Sequence, residues 1–232
     1  SVETQSYQNI EHIIQDGGST DGTLGIIRQF NAASIHMVSE PDGGIYDAIN
    51  KGISRASGDI IGLMHSDDFF ADDMVLERVA KVFRDRKVDG VYGDLDYVSA
   101  SNTGKIVRRW RSCPYHADLL KRGWMPPHPT LYLRREVFDR WGLYDTSMSI
   151  AADYEAMLRY LVRGDTRLAY IPEVLVKMRV GGESNRSLSR ILRKSREDYT
   201  ALRRYGVGGI NTLLAKNFSK LEQFLPKKGN FK

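Results

Sequence analysis

The stretch DIIGLMHSDD, residues Asp59–Asp68, decides the fold class of this chain. Its apolar part runs to Met64 and ends abruptly in two carboxylates, which is typical of a buried strand whose carboxyl end opens into a crevice. Open α/β sheets bind their ligands in such crevices. Adjacent carboxylates repel each other unless a cation lies beside them, and hard oxygen ligands suit Mg²⁺ or Mn²⁺. The pair therefore predicts a metal that carries a phosphate.

Asp67 and Asp68 also allow a local interpretation. Either side chain could cap a helix beyond the polar turn at Asp72 and Asp73, since Asp is a favoured N-cap residue. The stretch alone leaves both interpretations open.

The amino-acid composition is that of a globular protein that can bury a full core. The 232 residues carry a formal net charge of +5 and are 41% hydrophobic. Acidic and basic residues are mixed over most of the chain, which argues against a polybasic nucleic-acid binder, and we expect no nucleic-acid partner. The excess of positive charge lies late, in residues 186–204 and at Lys227 and Lys228.

The single cysteine and the short apolar runs limit where the protein is expected to work. Cys113 excludes an intramolecular disulfide and a cysteine-based zinc site, and a reducing compartment is the simplest inference. No apolar run approaches the about 20 residues that span a bilayer, and the first residues lack the pattern of a signal peptide. We expect a cytoplasmic location without a membrane-spanning segment.

The first half of the sequence alternates between strand and helix patterns, which predicts a parallel α/β sheet. The polar residues 1–9, which precede the first predicted strand, are predicted to be the end of a helix. The predicted strands are Ile10–Ile14, Ser34–Val38, Asp59–Met64 and Val88–Tyr92, and the predicted helices are Leu24–Phe30, Ile45–Arg55 and Met74–Phe83.

The second half departs from this alternation. Asp96–Ser99 and Lys105–Trp110 flank a polar turn and predict a hairpin, so the sheet becomes mixed. The complete pattern predicts an α/β protein with a mixed, mainly parallel sheet flanked by helices, and a C-terminal helical tail. The later elements are a strand, two helices, strand material broken by Pro172 and two more helices: Thr130–Leu133, Arg135–Trp141, Ala152–Val162, Leu168–Val180, Leu188–Tyr205 and Ile210–Leu225.

Four short motifs follow one another along the chain: Asp16–Thr23, Pro41–Gly52, His65–Asp68 and Ala152–Glu155. With these motifs in this order, the chain resembles the family-two, inverting glycosyltransferases of GT-A fold, of the type that builds bacterial cell-surface polysaccharides. The resemblance covers residues 1–185 as a glycosyltransferase domain and leaves residues 186–232 as a basic amphipathic helical tail. It favours the metal interpretation of the acidic pair.

The resemblance implies that the donor is a nucleotide-sugar, most often a UDP-sugar. Asp68 matches the last acid of the family's DXD-like motif, which ligates Mg²⁺ or Mn²⁺ on the diphosphate, and Asp67 lies beside it towards the ribose. Asp16 matches the aspartate that holds the nucleotide base, and the turn with Gly17 and Ser19 approaches the nucleoside.

Three more residues are implied in donor binding. Asp42 and Lys51 match the segment that borders the nucleotide. Arg179 belongs to a stretch that resembles the family's flexible loop over the donor, in which Gly181 and Gly182 fit a hinge. An ordinary hairpin loop is the alternative.

Asp153 matches the family's catalytic base. In the implied reaction, an acceptor hydroxyl attacks the anomeric carbon from the face opposite the leaving diphosphate, so the configuration inverts and the hydroxyl proton needs a base. A carboxylate suits this task, whereas Glu155, two positions further along the predicted helix, points elsewhere. The acceptor is expected to be a saccharide or a lipid-linked saccharide.

One departure from the family concerns the start of the sequence. Family members begin with an apolar strand and a turn, and this chain starts inside the helix that follows them. We therefore expect the first strand of the family to be missing.

The predicted tail carries apolar helix faces bordered by basic residues. One face of its first helix carries Leu188, Ile191, Leu192 and Ser195, and its second helix carries Leu213, Leu214, Phe218, Leu221 and Phe224. Such faces suit an anionic membrane, so peripheral contact with the inner face of a membrane is expected. Helices that pack on the domain with their charges in water are the alternative.

Two other functions stay open from the sequence. A sugar-phosphate nucleotidyltransferase would share the fold class and the metal, although its Gly-rich motif typically lies at the very start. A non-catalytic basic module that binds membranes would keep its affinity without Asp68 and Asp153.

Overall fold

The structure is a computed structural model that describes residues 1–30, 34–180 and 188–222. The described strands are β1 (His12–Asp16), β2 (Ile35–Ser39), β3 (Ile60–Gly62), β4 (Asp68–Phe70), β5 (Gly90–Val98), β6 (Ile106–Trp110), β7 (Tyr132–Arg134) and β8 (Leu168–Arg179). The described helices are α1 (Thr23–Ile27), α2 (Ile45–Arg55), α3 (Val75–Asp85), α4 (Asp118–Lys121), α5 (Arg135–Trp141), α6 (Ala152–Leu158), α7 (Leu188–Arg204) and α8 (Ile210–Glu222). A 3₁₀ turn, His128–Thr130, precedes β7, and a π-helical turn, Arg159–Arg163, extends α6.

Two sheets form the framework of the fold. β1 and β2 pair with each other, and the larger sheet has the strand order β3-β7-β5-β8-β4, with β6 also paired to β5. Helix α2 packs against β1, and α3 packs against β5. The predicted α/β class and the mixed sheet are confirmed.

The prediction of a mainly parallel sheet is wrong. Within the described residues, β1–β2 and β5–β8 are parallel, whereas β3–β7, β5–β7, β5–β6 and β4–β8 are antiparallel. The connection between β5 and β6 shows one physical reason, because a turn as short as residues 99–105 joins only antiparallel neighbours. Hydrophobic periodicity predicts where a strand lies in the sequence, but it does not predict which strand it pairs with or in which direction.

β5 and β8 are the long central strands of the larger sheet. β5 runs unbroken through Gly90–Val98, where two separate strands were predicted, and β8 continues through Pro172. The pairing register of the two strands shifts between Tyr92 and Leu95, opposite the proline. The missing N–H of Pro172 therefore falls at an irregularity of the ladder, where it breaks no regular hydrogen bond.

The first nine residues form turns and bends, so the predicted helix end is wrong. The buried Gln5 side chain explains why. Its Nε2 donates to the backbone oxygen of Asp72 at 2.7 Å, and its Oε1 accepts from the backbone N–H of Leu76 at 3.0 Å. These bonds hold the segment against the start of α3.

A gap separates the two sheets. Within the described part of the chain, β1 is paired only to β2, and β3 is paired only to β7. β1 and β3 line the same cleft, together with apolar side chains of α2 and α3 such as Ile49 and Val79. The predicted absence of the family's first strand stays a prediction.

Helix α7 packs on the rest of the fold. Ala201 and Leu202 are fully buried against Tyr154 and Leu158 of α6 and its extension. The carboxylate of Glu197 accepts the backbone N–H groups of residues 149–151 at 2.9–3.1 Å, ahead of α6. The predicted division of the chain at residues 185 and 186 lies outside the described residues and stays a prediction.

Helix α8 is held to α7 by a buried ion pair. Lys216 Nζ lies 2.7 Å from Asp198 Oδ1, and both side chains are almost completely buried. None of the helices in the described ranges has the length and apolar content that crossing a membrane requires.

Candidate active site

A cleft of about 2640 Å³ holds the acidic residues of two predicted motifs. Asp67, Asp68, Asp153 and Arg179 all line it. Because cavities for single small molecules measure about 300–1,000 Å³, the excess volume belongs to the gap between β1 and β3. The candidate site is the part of the cleft around these four residues.

Asp67 and Asp68 were predicted to end the strand that begins near Asp59, and this position is wrong. β3 ends at Gly62, and Asp68 is the first residue of a separate strand, β4, where it pairs with Met178 of β8. The helix-cap interpretation is also wrong, because α3 begins at Val75 without a side-chain cap. Asp68 is buried and Asp67 is exposed.

The Asp68 carboxylate has an unusual environment. Both of its oxygens are buried, and neither has a hydrogen-bond partner among the described residues. Burial, followed by the neighbouring charge of Asp67, raises the pKa of Asp68 to about 7, although a weak interaction with the His65 backbone and the charge of Arg179 act in the opposite direction. A buried carboxylate without donors is the kind of group that a cation stabilises.

The residues present fit a divalent metal whose other ligands come from a substrate. Within the described ranges, no group of three or more His, Cys, Asp or Glu side chains could hold a metal on its own. Mg²⁺ usually binds one or two protein carboxylates and completes its shell with phosphates and water. Asp68, with Asp67 beside it, offers such a partial set.

Arg179 closes one side of the acidic pair. Its backbone N–H donates to the Asp67 carbonyl at 3.2 Å, and its guanidinium lies 4.9 Å from the centre of the Phe69 ring. The loop glycines Gly181 and Gly182 lie outside the described residues. Arg179 therefore places a half-buried cation next to the predicted diphosphate site.

Asp153 lies in the first turn of α6 and faces the cleft. Its Oδ1 accepts the backbone N–H of Tyr154 at 2.8 Å and the Tyr46 hydroxyl at 3.4 Å. Its Oδ2 lies 3.5 Å from Nδ1 of His128. Three different parts of the chain therefore orient this carboxylate.

The electrostatics of the site keep Asp153 ionised. Desolvation by itself would raise the pKa of Asp153, but His128, Lys194, Lys216 and the Tyr154 N–H lower it below the usual range. An ionised carboxylate in a desolvated cleft can accept a proton.

Two histidines lie beside Asp153. The rings of His65 and His128 meet edge to face, with their centroids 5.4 Å apart. Burial lowers the pKa of His65 to about 4, and desolvation also lowers the pKa of His128. The His65 ring is therefore neutral near pH 7.

Tyr97 connects the two acidic centres. Burial raises the pKa of its phenol, Arg108 opposes this shift, and the charges of Asp68 and Asp153 both add to it. The Arg108 guanidinium lies 4.5 Å from the centre of the Tyr97 ring. The charges of the predicted metal ligand Asp68 and of the predicted base Asp153, which belong to different motifs, thus both raise the pKa of this phenol.

Glu155 does not line the cleft, as expected from its position two residues beyond Asp153 on the helix. Its side chain is 2% exposed and accepts from Arg159 at 3.0 Å, from Arg204 at 3.4 Å and from the Tyr205 hydroxyl. These contacts join α6 to the end of α7.

Asp16 ends β1 and organises the turn that follows. Its Oδ2 accepts the backbone N–H groups of Gly18 and Ser19 at 2.9 and 2.8 Å, and the Ser39 hydroxyl at 2.6 Å. Its Oδ1 accepts the Ser19 hydroxyl. These bonds, the two hydroxyls first, hold the pKa of Asp16 far below its usual range. Oδ1 keeps room for one more donor.

Gly17 lies close to the side chain of Asp42 on the next loop. A Cβ atom at Gly17 would lie 2.5 Å from Asp42 Oδ2, whose other oxygen accepts the N–H of Gly44 at 2.8 Å. Lys51 donates to the Pro41 carbonyl at 2.9 Å and pairs with Asp47 at 3.1 Å. Lys51 therefore fixes the loop that carries Asp42.

The structure thus divides the predicted site residues into two groups. The first group, which lines the cleft, consists of Asp67, Asp68, Asp153 and Arg179. The second group does not line the cleft. It lies at the end of β1, on the loops after β1 and β2, and on α2 where a lysine contacts the second loop: Asp16, Gly17, Ser19, Asp42 and Lys51.

No site role was predicted for Tyr46, Tyr97 or Lys194. Tyr46 lies inside the motif Pro41–Gly52, so a contact between its hydroxyl and the predicted base could have been suspected. Tyr97 and Lys194 reach the site through sheet pairing and helix packing, for which the sequence carries no local signal.

The comparisons with known proteins place this geometry in a family. The model for "Glycosyl transferase family 2" matches residues 1–150. The chain belongs to glycosyl transferase family 2. It is 33% identical over 162 residues to an uncharacterized glycosyltransferase of Mycobacterium tuberculosis, covering 68% of this chain and 60% of that relative.

A second relative is a PGL/p-HBAD biosynthesis glycosyltransferase of Mycobacterium bovis. It is 30% identical over 167 residues, which cover 68% of this chain and 61% of the relative. The present chain thus spans less than two thirds of the length of either relative.

Solved structures show the same fold. The TarS protein of S. aureus, residues 1-349 in complex with UDP-GlcNAc, superposes with a TM-score of 0.67 at 16% identity, over 89% of this chain and 60% of TarS. Its complex with UDP gives a TM-score of 0.62 at 17% identity, over 88% of this chain and 60% of TarS. The predicted GT-A architecture is confirmed by this likeness.

Proposed function

We propose that this family 2 member binds a UDP-sugar at a divalent metal and transfers the sugar, with inversion, to an acceptor hydroxyl. One observation carries the proposal. The same cleft contains Asp68, whose buried oxygens lack described partners, and Asp153, whose pKa is lowered. One carboxylate suits a cation at a leaving diphosphate, and the other suits a proton from an acceptor.

The donor would extend from the Asp16 loop to the acidic pair. Asp16 is ionised and has one free acceptor position for a base N–H, and Gly17 lets the backbone approach the nucleoside. Complexes of TarS with UDP-GlcNAc and with UDP support a uridine nucleotide. Asp42 and Lys51 would border the nucleotide through the loop that they hold in place.

Asp68 would be the protein ligand of Mg²⁺ or Mn²⁺, with Asp67 beside it. Such an ion, when bound, would offset the negative charge that grows on the leaving diphosphate. Arg179 would add a second positive charge on the same side.

Asp153 would remove the proton from the acceptor hydroxyl. Tyr46 and His128 hold the two oxygens of its carboxylate in separate directions, which fixes the side from which a hydroxyl can approach. The hydroxyl would attack opposite the leaving diphosphate, which would invert the anomeric centre.

We further propose that the acceptor is a saccharide or lipid-linked saccharide of a surface polysaccharide or glycolipid, used on the cytoplasmic side of a membrane. The naming of one relative for PGL/p-HBAD biosynthesis supports a lipid-linked product. Large apolar side chains exposed on α7 and α8 support contact with a membrane: Ile191, Leu192, Ile210, Leu214 and Phe218.

The basic residues predicted for this contact divide into two kinds. Arg203 is exposed on α7 and does not line the cleft, so it remains a candidate for anionic headgroups. Lys216 and Arg204 instead pair with Asp198 and Asp145 and stabilise the fold. Arg186, Lys227 and Lys228 lie outside the described residues.

Membrane contact predicts a loss of vesicle binding when two exposed apolar side chains are made polar. Leu192→Ser with Phe218→Ser should weaken sedimentation with phosphatidylglycerol vesicles at least about tenfold, because each buried side chain of this size contributes about 1.5–3 kcal/mol. Point substitutions are preferable to removal of the tail, since Leu202 of α7 is part of the core.

The matched control is Ile26→Ser with Phe30→Ser, which removes two equally exposed apolar side chains elsewhere. Control and test variants with the same vesicle affinity as the parent protein would show that the two helices do not contact lipid.

The donor proposal is tested by a screen of UDP-sugars. We expect release of UDP in the presence of Mn²⁺ with at least one UDP-sugar, and little release in EDTA. Nucleotidyltransfer would instead release pyrophosphate from a nucleoside triphosphate and a sugar phosphate. Pyrophosphate release, or donor turnover that ignores EDTA, would contradict the proposal.

A further inference from the structure

Helix α7 contributes a group of basic side chains to the candidate site. Arg190, Arg193 and Lys194 line the same cleft as Asp153. Arg190 and Lys194 are one helical turn apart, and the next turn along that face carries the buried Asp198. This face of α7 therefore changes from core packing at Asp198 to a cationic cleft wall at Arg190.

Lys194 lies within electrostatic range of the proposed base. After the larger effect of desolvation, the Lys194 charge lowers the pKa of both Asp153 and His128. Its side chain is half-buried, yet among the described residues no carboxylate lies within the 4 Å of an ion pair with it. A partly desolvated cation with no close anion is stabilised when an anionic ligand binds beside it.

The cleft has separate cations for its two carboxylates. Arg179 lies beside the acidic pair, because its backbone N–H binds the Asp67 carbonyl at 3.2 Å. Lys194 lies one turn of α7 before Glu197, whose carboxylate binds the backbone N–H groups of residues 149–151 just ahead of Asp153. A base contacts the hydroxyl whose proton it removes, so groups beside Asp153 meet the acceptor. The cations of α7 therefore face the acceptor, and the donor diphosphate already has Arg179 and the acidic pair.

We propose that the acceptor is anionic and carries a phosphate ester close to the hydroxyl that is glycosylated, and that Arg190, Arg193 and Lys194 bind this phosphate. The inference rests on the proposed function, because it uses Asp153 as the base that marks the acceptor side. Clustered Arg and Lys side chains suit phosphate oxygens, which accept several charge-assisted hydrogen bonds at once.

The test compares a phosphate polymer with a neutral polymer. Fluorescently labelled poly(glycerol phosphate) and dextran of the same length are titrated with protein saturated with UDP and Mn²⁺. The test variant is Arg193→Gln with Lys194→Gln. The matched control is Arg140→Gln with Arg196→Gln, which removes the same charge from exposed positions that do not line the cleft.

We expect the parent protein to bind poly(glycerol phosphate) and to bind dextran much more weakly. The test variant should lose at least about tenfold in affinity for the phosphate polymer, since two charge-assisted contacts are removed. The control variant should stay within about twofold, because distant surface charges are screened by salt. The affinity for UDP should be the same in all three proteins.

Several results would overturn the inference. Equal losses in both variants would mean general attraction of charge, and a loss of UDP affinity in the test variant would assign the cations to the donor. Binding of neither polymer by the parent protein would also overturn it. Phosphatidylglycerol vesicles provide a further arm: a loss limited to vesicles would assign the phosphate to a lipid surface.

The inference and the proposed function fail in different ways. If the parent protein shows no metal-dependent UDP binding, the proposed function is wrong whatever the polymers do. If UDP binds as expected but the polymers are not distinguished, only the phosphate-bearing acceptor is wrong.

Discussion

Asp153→Asn is expected to lower sugar transfer at least about 100-fold while the affinity for UDP stays within about twofold, because general bases typically contribute 10²–10⁴-fold. The amide keeps the shape of the side chain and can still accept the Tyr154 N–H, but it cannot take a proton. Single-turnover transfer from the UDP-sugar found in the screen, with calorimetry of UDP binding, measures both quantities.

The matched control for this prediction is Asp139→Asn, which changes an exposed carboxylate on α5. It should transfer sugar at the parent rate. Near-parental transfer by Asp153→Asn would point to a different base, and a product with retained anomeric configuration would exclude the inverting reaction.

Asp153 is oriented by Tyr46 and His128, which lie far from it in the sequence. Its environment could therefore not be derived from its own motif. Tyr46 and Asp153 are 107 positions apart in the sequence, and they meet only because α2 and α6 pack across the cleft. Lys194 arrives from a third helix. Periodicity predicts each helix separately, and contacts between helices depend on packing that no local pattern records.

The Asp16 turn shows the opposite case. Its bonds to Gly18 and Ser19 reach two and three positions along the chain, so composition alone could predict a tight turn held by an aspartate. The collision that a side chain at Gly17 would cause involves Asp42, from another loop. Local turn chemistry was predictable, and the joining of the two loops needed the parallel pairing of β1 with β2.

The acidic pair lies between these cases. The sequence identified Asp67 and Asp68 as candidates, but it assigned them to the end of a strand that stops at Gly62. Asp68 owes its burial to β4, which pairs with β8 more than a hundred positions later. Neither of its oxygens has a described donor, and this is the feature on which the proposed cation rests.

Asp68→Asn is expected to weaken UDP binding in Mn²⁺ at least about 100-fold, because the diphosphate would lose the cation that bridges it to the protein. In EDTA the variant and the parent protein should bind UDP equally and weakly. Calorimetry in both conditions gives the comparison. The control is Asp73→Asn, an exposed carboxylate five positions later, which should keep the affinity of the parent protein.

The same variant should be more stable than the parent protein when no metal is present. Burial raises the pKa of Asp68 to about 7, so the folded protein binds this proton more tightly than the unfolded chain does. The parent protein therefore loses stability as the pH rises from about 4 to about 7, the interval between the unfolded and folded pKa values. An amide stays neutral throughout and avoids that loss.

At pH 8 in EDTA, we expect Asp68→Asn to raise the free energy of unfolding by about 2 kcal/mol, less than the full pKa shift implies because the amide also lacks partners. At pH 4 the difference should disappear. Urea unfolding at both pH values measures this, and it also shows that the variant is folded when its UDP affinity is tested. Metal-dependent UDP binding that survives in this stable variant would remove Asp68 from the metal site.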